Sequence, residues 1–470
     1  MKRTCIVGAG EAGKFMVRQL IFSKEKLLDA VCLLDDDKQK NGLVIEGVPV
    51  VGMLVDIEKA IEAYAIEYIV LAIPSLAKED QDKIIQRAKK AGVGIMILPS
   101  TREMLSSRIP AVPRLDYQVL LDRLEFTLNY KQMHTEFSGK TVLITGAGGS
   151  IGSEIARQVK ACQPDKIILV GNGEGSIYEI DQELGQDYSS IEIIPVIADI
   201  RNAKRVEDIF SKYKPDYVYH AAAHKHVPLM EKNIQEAIQN NVIGTYNVAT
   251  AADKVGAKKV VMISTDKAVK PTNNMGASKR LAEKIIYYKN EHSNTDFRVV
   301  RFGNVLGSKG SVVPKFWKQI CNNQKITLTH PSMTRYFMTI PEASKLVIQA
   351  SALKQEGSIF ILDMGKPVLI MSLIEKLFVM AGKEMDDAAI DYVGVRPGEK
   401  IHEQLFNNSE LKADQTCDQI FVGKAHCEHS EWNRINFLMK NYHLQTEAVL
   451  KDTILSLANE GGKGAYAKTN

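Results

Sequence analysis

The sequence predicts an α/β fold made of two Rossmann-type units, each with a doubly wound parallel sheet. Two glycine-rich turns carry this prediction, because residues 8–13 and residues 146–152 each follow a short apolar strand and lead into a helical pattern. After each turn, apolar runs of strand length alternate with helical sequence, which is typical of parallel βαβ units. From about residue 304 the pattern becomes mixed, with short strands and helices.

The first unit opens with a strand over residues 4–7 and the turn Gly8-Ala9-Gly10-Glu11-Ala12-Gly13. A second strand over residues 30–34 ends at Asp35, the position of the ribose-binding acid in a dinucleotide site. Further apolar runs follow at 68–72 and 93–98, without a catalytic pattern after them. We therefore interpret residues 1–103 as a nucleotide-binding-type domain with a structural or regulatory role. Whether it binds a ligand stays open.

Composition excludes several classes of function. The 470 residues carry 60 basic and 56 acidic side chains, a net charge of +4 without a dense basic block, so no nucleic-acid partner is expected. Six dispersed cysteines lack metal or disulfide spacing and favour a reducing cytoplasm. His224 and His226 have no third ligand at metal-site spacing, so we predict no metal. No apolar run reaches the ~18 residues of a membrane span.

Composition shifts divide the rest of the chain into three segments. Residues 104–138, with Pro110 and Pro113, are predicted to connect the two units. Residues 139–408 form the predicted catalytic domain, whose dinucleotide-binding core extends to about residue 303. Residues 409–470 are predicted to form a peripheral C-terminal extension. The strands predicted in the catalytic core are 142–145, 166–170, 192–197, 217–220, 260–264 and 298–301.

The second glycine-rich turn predicts a dinucleotide site. One glycine permits the tight turn, one lets the backbone approach a pyrophosphate, one allows close helix–strand packing, and the helix N-terminus supplies amide donors. The candidate residues of this turn are Thr145, Gly146, Gly149, Ser150, Ile151 and Gly152.

Three later strand ends extend the predicted cofactor site. The second strand of the unit ends near Asn172 and Glu174 without a basic residue, which favours NAD over NADP. Further candidate cofactor residues at the next two strand ends are Asp199, Ile200, Ala221, Ala222 and Ala223.

The stretch Ser264-Thr265-Asp266-Lys267 follows a predicted strand and sets an acid beside a base. Met275 and Lys279 come next, four residues apart and hence on one helical face. A thioether carries no exchangeable proton, so Met275 cannot act as a catalytic tyrosine would. We assign Thr265, Asp266, Lys267, Met275 and Lys279 to the catalytic centre.

Five motifs give the sequence a family resemblance: residues 146–154, 220–228, 264–268, 301–308 and 396–400. Together they resemble the polysaccharide-biosynthesis branch of the extended short-chain dehydrogenases, which includes UDP-N-acetylglucosamine 4,6-dehydratases. The resemblance implies an extended short-chain dehydrogenase fold with a mixed substrate-binding part, and Met275 is similar to the configuration-retaining members. Longer members carry N-terminal membrane helices that this chain lacks, so we expect a cytoplasmic protein, at the inner face of the membrane if the native protein has an anchor.

The implied reaction needs an acid and a base together. Oxidation of the sugar at C4 by NAD acidifies the C5 proton, which Lys267 in its neutral form is suited to remove. Protonated Asp266 then donates to the departing C6 hydroxyl. Lys279 is expected to bind the nicotinamide ribose, and the C4 hydroxyl proton passes through Thr265, a water or a lysine.

The resemblance also implies a UDP-sugar as substrate and a homo-oligomer. Guanidinium groups match phosphate oxygens, so Arg335 and Arg396 are candidates for the diphosphate. Lys225 and Asn304 resemble substrate-pocket positions, and Glu399 is placed at the nucleotide end. Two alternatives remain: a UDP-sugar C4 epimerase, which needs no C5 base at Lys267, and a non-catalytic NAD-holding regulator of glycan assembly.

Overall fold

The protein is described here from a computed structural model, in which the chain folds as two compact units, Met1–Asp116 and Tyr117–Asn470. The predicted connector is only partly described, and the predicted domain boundaries stay predictions. The described residues are 2–22, 28–73, 76, 78–97, 117–121, 126, 128–186, 190–354, 358–381, 383–386, 389–407, 410–417 and 419–459.

The first unit contains a six-stranded sheet in the order β3-β4-β2-β1-β5-β6. All neighbouring strands are parallel except β3 and β4, which form an antiparallel pair. Its strands are β1 (Lys2–Val7), β2 (Leu28–Leu34), β3 (Val44–Ile45), β4 (Val48–Gly52), β5 (Tyr68–Leu71) and β6 (Gly94–Ile97). Its helices are α1 (Glu11–Phe22), α2 (Ile57–Ala63) and α3 (Lys78–Lys90).

The second unit is organised around a nine-stranded sheet in the order β20-β21-β17-β12-β11-β10-β7-β8-β9. The strands from β9 to β17 are parallel. Apart from the edge strand β9, which is partly exposed, their apolar runs are buried on both faces, as expected between two helical layers. The parallel strands are β7 (Thr141–Thr145), β8 (Lys166–Gly171), β9 (Glu192–Ile197), β10 (Tyr217–His220), β11 (Lys259–Thr265), β12 (Asp296–Phe302) and β17 (Ile359–Leu362). The predicted fold class of two Rossmann-type units is confirmed.

Helices of the second unit connect these strands and cover the sheet. Between α10 and α11 the chain forms a π-helix over residues 238–243. The helices are α4 (Tyr117–Leu121), α5 (Tyr130–Phe137), α6 (Ser150–Ala161), α7 (Glu174–Leu184), α8 (Ala203–Tyr213), α9 (Val227–Glu231), α10 (Ile234–Ala237), α11 (Gly244–Lys254), α12 (Asn274–Glu291), α13 (Val312–Cys321), α14 (Ile340–Ala352) and α15 (Ile370–Met380).

The mixed part predicted after residue 304 consists of three two-stranded sheets. Two of them are parallel and the third is antiparallel. The pairs are β13 (Asn304–Leu306) with β16 (Phe337–Thr339), β14 (Ile326–Leu328) with β19 (Ile390–Tyr392), and β15 (Thr334–Arg335) with β18 (Val368–Leu369).

The last segment adds two strands and two helices to the second unit: β20 (Leu411–Cys417), β21 (Ile420–Gly423), α16 (His429–Asn441) and α17 (Glu447–Asn459). Strand β21 pairs antiparallel with β17, so this segment continues the main sheet. Glu410, just before β20, pairs at 2.8 Å with the fully buried Arg301 of β12 and with Arg280 of α12. Arg301 also pairs with buried Glu283, which accepts a hydrogen bond from Ser264.

Candidate active site

A cavity of about 560 Å³ lies in the second unit, lined by the ends of β10, β11 and β12 and by the glycine-rich turn. Ligands of open parallel α/β sheets bind at this edge, outside the carboxyl ends of the strands. The structure brings many of the predicted site residues together here. Those that line the cavity are Gly149, Ser150, Ile151, Gly152, Ala221, Ala223, Lys225, Thr265, Lys267, Met275, Lys279 and Asn304.

The glycine-rich turn is shaped by close backbone contacts. Gly146 has φ +68°, and a Cβ there would lie 2.7 Å from the amide nitrogen of Ala222. A Cβ on Gly152 would lie 2.2 Å from the carbonyl oxygen of Gly146. Both positions therefore require glycine, and they bring the start of α6 against the end of β7. Gly148 was not predicted, yet its Cβ would collide with Ser176 on α7 at 2.3 Å.

The N-terminus of α6 faces this turn. Gly149 is its cap residue and offers no side-chain hydrogen bond to the first-turn amides. Such amides, with the helix dipole behind them, form an anion site of the kind that holds a pyrophosphate. The turn and the start of α6 therefore fit a dinucleotide, and the contacts of Gly149, Ser150 and Ile151 with its phosphates stay predictions.

The residues predicted around the rest of the cofactor lie near the same edge but do not line the cavity. Asn172 and Glu174 are exposed at the end of β8. Asp199, after β9, binds Arg201 through its carboxylate at 2.6 Å, and this pairing lowers its pKa. Ile200 is buried. Their contacts with a cofactor stay predictions.

A buried histidine links the glycine turn to the start of α11. His220 Nδ1 lies 2.7 Å from the Thr145 hydroxyl, and its Nε2 lies 2.9 Å from the Thr245 hydroxyl. Because Thr245 donates its own proton to the carbonyl of Asn241, its oxygen must accept from Nε2–H. Burial lowers the pKa of His220 to about 3, so the ring is neutral. These hydrogen bonds, from Thr145 through His220 to Thr245, hold Thr145 in place at the turn.

Thr265, Asp266 and Lys267 form one hydrogen-bonded group. Asp266 is fully buried and does not line the cavity, whereas its two neighbours do. Its Oδ1 accepts from the Thr265 hydroxyl at 2.9 Å and from Lys267 Nζ at 2.9 Å. Lys267 Nζ also donates to Asn304 Oδ1 at 3.1 Å. The carboxylate thus reaches the cavity through its two partners.

Met275 and Lys279 lie on the same face of α12, as predicted from their spacing. Met275 packs with Met230 and Ala237 in a small apolar cluster at the cavity wall. Lys279 Nζ donates to the carbonyl of Ile263 at 2.7 Å. Burial lowers the pKa of Lys279 to about 8.

The predicted substrate residues divide into two groups. Lys225 and Asn304 line the cavity, and burial lowers the pKa of Lys225. Arg335 is buried, and its guanidinium donates to the carbonyls of Thr334, Lys400 and Ile401 at 2.7 to 2.9 Å.

The Arg335 guanidinium therefore makes three hydrogen bonds to carbonyls of the chain itself. It also lies 3.7 Å from the Glu399 carboxylate. Arg396 is exposed, and neither it nor Glu399 lines the cavity. Binding of the diphosphate by these residues stays a prediction.

The cavity lining is basic, and its positive charge comes from lysines rather than from His226, whose pKa is lowered by burial. Its described lining includes no aspartate or glutamate, while six basic side chains contribute to it. A ligand with several negative charges is favoured in such a cavity, because low-dielectric walls strengthen the attraction. The six are His224, Lys225, His226, Lys267, Lys279 and Lys309.

Sequence reasoning missed a segment that crosses from the substrate-binding part to the cofactor turn. The amide of Lys309 donates to the hydroxyl of Ser150 at 3.1 Å. Gly310, with φ +73°, would place a Cβ 2.8 Å from the ring of His226. The glycine at 310 marked a turn, but only the fold shows what the turn contacts. Sequence reasoning also missed Glu403, a buried carboxyl group that interacts electrostatically with Asp266 and Lys267.

Among the described residues, no helix is both long enough and apolar enough to cross a membrane. No three His, Cys, Asp or Glu side chains of the described ranges converge as metal ligands would.

Two family models match the chain. Residues 142–425 match the family described as "Polysaccharide biosynthesis protein". Residues 1–99 match a family described as "CoA-binding domain".

Similar proteins include relatives and a solved structure. The capsular polysaccharide biosynthesis protein CapD of Staphylococcus aureus is 45% identical over 463 residues, covering 97% of this chain and 76% of the relative. A UDP-glucose 4-epimerase of Rickettsia bellii is 37% identical over 283 residues, covering 58% of this chain and 80% of the relative. The X-ray structure of Pen from Bacillus thuringiensis has a TM-score of 0.55 and 36% identity, and the match covers 62% of this chain and 92% of Pen.

Proposed function

The chain belongs to the polysaccharide biosynthesis protein family, and on that premise we propose that it is an NAD-dependent UDP-N-acetylglucosamine 4,6-dehydratase. Its product is the 4-keto-6-deoxy sugar nucleotide with the C5 configuration retained, for bacterial surface polysaccharide or glycan synthesis. The family and the relatives support an enzyme that modifies a nucleotide sugar. The finer assignment rests on the residues of the cavity.

The observation that carries the proposal is the Thr265–Asp266–Lys267 group. A hydroxyl and an ammonium group face the cavity, and both bind the same oxygen of one buried carboxylate at 2.9 Å. Such a group can take up a proton at one site on a substrate and deliver a proton at another. A 4,6-dehydratase needs that transfer, because the C4 hydroxyl loses a proton and the leaving C6 hydroxyl gains one.

The protons balance over one cycle. Thr265 takes the proton of the C4 hydroxyl and passes its own to Asp266, directly rather than through a water. A nicotinamide dinucleotide, which Gly149, Ser150 and Ile151 would hold at its phosphates, would supply the acceptor for a hydride from C4 and the donor of that hydride to C6. Neutral Lys267 accepts the C5 proton, and Asp266 protonates the C6 oxygen, which leaves as water. Lys267 then returns its proton to C5 from the same side, which retains the configuration.

The positive cavity supports a nucleoside diphosphate sugar as substrate. Apart from the two histidines, Lys225 and Lys309 are the basic side chains of the lining that are assigned neither to the proton cycle nor, like Lys279, to the nicotinamide ribose. They are suited to diphosphate oxygens. NAD rather than NADP is proposed because the end of β8 carries Asn172 and Glu174 and no basic residue.

A UDP-sugar C4 epimerase is the second candidate, since the Rickettsia bellii relative bears that name. Epimerisation needs hydride and proton transfer at C4 only and leaves the C5 proton and the C6 hydroxyl in place. Lys267 would then have no C5 proton to accept. A regulator that holds NAD without turnover is the third.

Incubation of the purified protein with UDP-N-acetylglucosamine in deuterated water separates these candidates. The dehydratase yields a product that has lost one water and gained deuterium, read by mass spectrometry, with little need for added NAD. A product of unchanged mass and inverted C4 configuration supports the epimerase. Stoichiometric accumulation of NADH, or no turnover of any UDP-sugar, contradicts the proposal.

A further inference from the structure

Glu403 is a buried carboxyl group beside the catalytic pair. Its side chain is 4% exposed, and Oε2 lies 3.6 Å from Lys400 Nζ. Asp266 and Lys267 both act on it electrostatically, as does Arg335. Burial raises the pKa of Glu403 against the opposing effect of Lys267. Nothing in the proton cycle described above uses this group.

The segment that carries Glu403 is fixed against the catalytic segment. Lys400 Nζ donates to the carbonyl of Val269 at 2.7 Å, and Asn273 Nδ2 donates to the carbonyl of Gly398 at 2.9 Å. The guanidinium of Arg335 holds the carbonyls of residues 400 and 401 from the other side. Glu403 therefore keeps its place relative to Asp266 and Lys267.

The groups around Glu403 form a balanced charge cluster. It contains three acids and three bases, so its net charge is zero when all six are ionised. Within the described part of the chain, each acid has one buried carboxylate oxygen without a hydrogen-bond partner. The acids are Asp266, Glu399 and Glu403, and the bases are Lys267, Arg335 and Lys400.

The proposed reaction disturbs this balance. Lys267 must be neutral to accept the C5 proton, and Asp266 must be ionised to accept the proton from Thr265. The cluster would then carry one buried negative charge without a counter-charge, which is costly in a site of low dielectric. A proton on Glu403 removes that charge. Its burial favours the neutral form, against the opposing charge of Lys400.

We propose that Glu403 is a positioning residue that controls the charge of Lys267: the proton that Lys267 must lose is balanced by one that Glu403 holds. Protonated Glu403 leaves Lys267 free to act as the base. Ionised Glu403 keeps Lys267 protonated and inactive. This inference rests on the proposed function, and it concerns an acid that does not touch the substrate.

Substitution of Glu403 tests the inference through the pH dependence of C5 exchange. Glu403→Gln fixes the side chain in an uncharged form. Lys267 therefore no longer faces an ionised carboxylate that keeps it protonated, and the rising limb of the pH–rate profile moves to lower pH. We expect a shift of about one pH unit, hence about tenfold faster exchange than wild type on the acidic side. A purely structural role would slow exchange at every pH and leave the midpoint in place.

Lys400→Met provides a variant with the opposite sign. It removes a positive charge from the cluster, so the midpoint moves to higher pH. Glu431→Gln is the matched control, because it removes a carboxylate paired with buried Lys284 at 2.9 Å outside the cavity lining. It should leave the midpoint unchanged. Shifts of the same sign in Glu403→Gln and Lys400→Met would overturn the inference, as would no shift in either.

A second measurement does not depend on turnover. Labelling with acetic anhydride over a pH series, read by peptide mass spectrometry, gives the pH at which Lys267 becomes reactive. That pH should fall in Glu403→Gln and rise in Lys400→Met. If it does so in a protein that turns over no UDP-sugar, the proposed function fails and the inference stands. If the sugar is dehydrated and labelling of Lys267 is unchanged in both variants, the inference fails.

Discussion

The two Rossmann-type units share a turn but differ in what surrounds it. In the first unit, Asp35 at the end of β2 accepts from the amide of Ala9 at 2.7 Å and pairs with Lys40 at 3.2 Å. In the second unit, the amides at the start of α6 face a cavity. An acid–lysine pair is present in both units. In the second unit the pair stands at a cavity wall with a hydroxyl beside it.

The difference shows that a glycine pattern predicts the path of the backbone rather than a reaction. Gly13 and Gly152 have the same local task, because a Cβ on either would lie about 2 Å from the carbonyl oxygen of the first glycine of its turn, at 1.9 and 2.2 Å. Chemistry depends on the neighbouring strand ends. In the second unit, β11 ends in Thr265 and continues into the Asp266–Lys267 pair.

The largest expected effect is a difference between the Asp266–Lys267 pair of the second unit and the Asp35–Lys40 pair of the first. Lys267→Met should lower the rate of dehydration by ~10²–10⁴-fold, because the C5 proton loses its acceptor. Lys40→Met removes the lysine of the first unit and should leave the rate within a factor of about three, since that pair faces no proposed reaction. Product formation from UDP-N-acetylglucosamine measures both. Equal losses would remove the distinction between the units.

The hydroxyl beside the second pair gives the next effect. Thr265→Val should slow the first appearance of NADH in a single turnover by about 10²-fold, because the C4 proton loses its path to Asp266. Met275→Ala should be milder, at about tenfold or less, since only packing with Met230 is lost. If the first appearance of NADH is slowed strongly in Met275→Ala and is nearly normal in Thr265→Val, the proton relay through Thr265 is refuted. The methionine would then act by shaping the cavity.

The matched glycines test the turns themselves. Gly152→Ala should reduce the nicotinamide that co-purifies with the protein by about tenfold, because α6 must move away from β7 and its amides leave the phosphate position. Gly13→Ala imposes the same collision in the first unit and should leave nicotinamide content and turnover unchanged. Content is read by absorbance after acid release. Loss of nicotinamide in both variants would mean that the first unit supports the second.

Acid sensitivity should differ between the units by a smaller amount. His220 is the buried neutral histidine of the second unit, whereas residues 1–116 contain no histidine. Its pKa is lowered on folding, so the stability that its neutral form contributes is present above pH 6.5 and is lost as the pH falls toward about 3. The loss is at most ~1.4 kcal/mol per pH unit.

Hydrogen exchange of peptides from each unit at pH 7 and pH 5.5 measures this difference. Peptides of β7 and β10 should exchange faster at pH 5.5, after correction for the intrinsic rate, while peptides of β1 and β5 should not. A uniform change across both units would trace the effect to other groups.

Much of the second unit could be predicted because its parallel strands are short apolar runs, most of which are buried on both faces. The predicted strands 142–145, 192–197 and 217–220 agree with β7, β9 and β10 to within one residue. Spacing also placed Met275 and Lys279 on one face of α12. These features depend on neighbours in sequence, which a linear pattern records.

The remaining features depend on distant parts of the chain. Arg335 resembled a phosphate ligand, but its donors are taken by carbonyls of residues 400 and 401. Glu403 is brought near Asp266 by the tertiary fold, in which the segment 398–400 is hydrogen-bonded to residues 269 and 273. Likewise, the pairing of β21 with β17 follows from an open sheet edge that the sequence does not reveal.

The ion network at the end of β12 ties the last segment to the wall of the cavity. A fragment that ends at residue 408 would lose Glu410, leaving Arg280 and Arg301 to share Glu283 in a site closed to water. It would also leave β17 without its antiparallel neighbour, and such an unpaired edge recruits other chains. Shortening the protein to its apparent catalytic core would therefore produce an aggregating fragment, and the domain can be dissected only beyond α17.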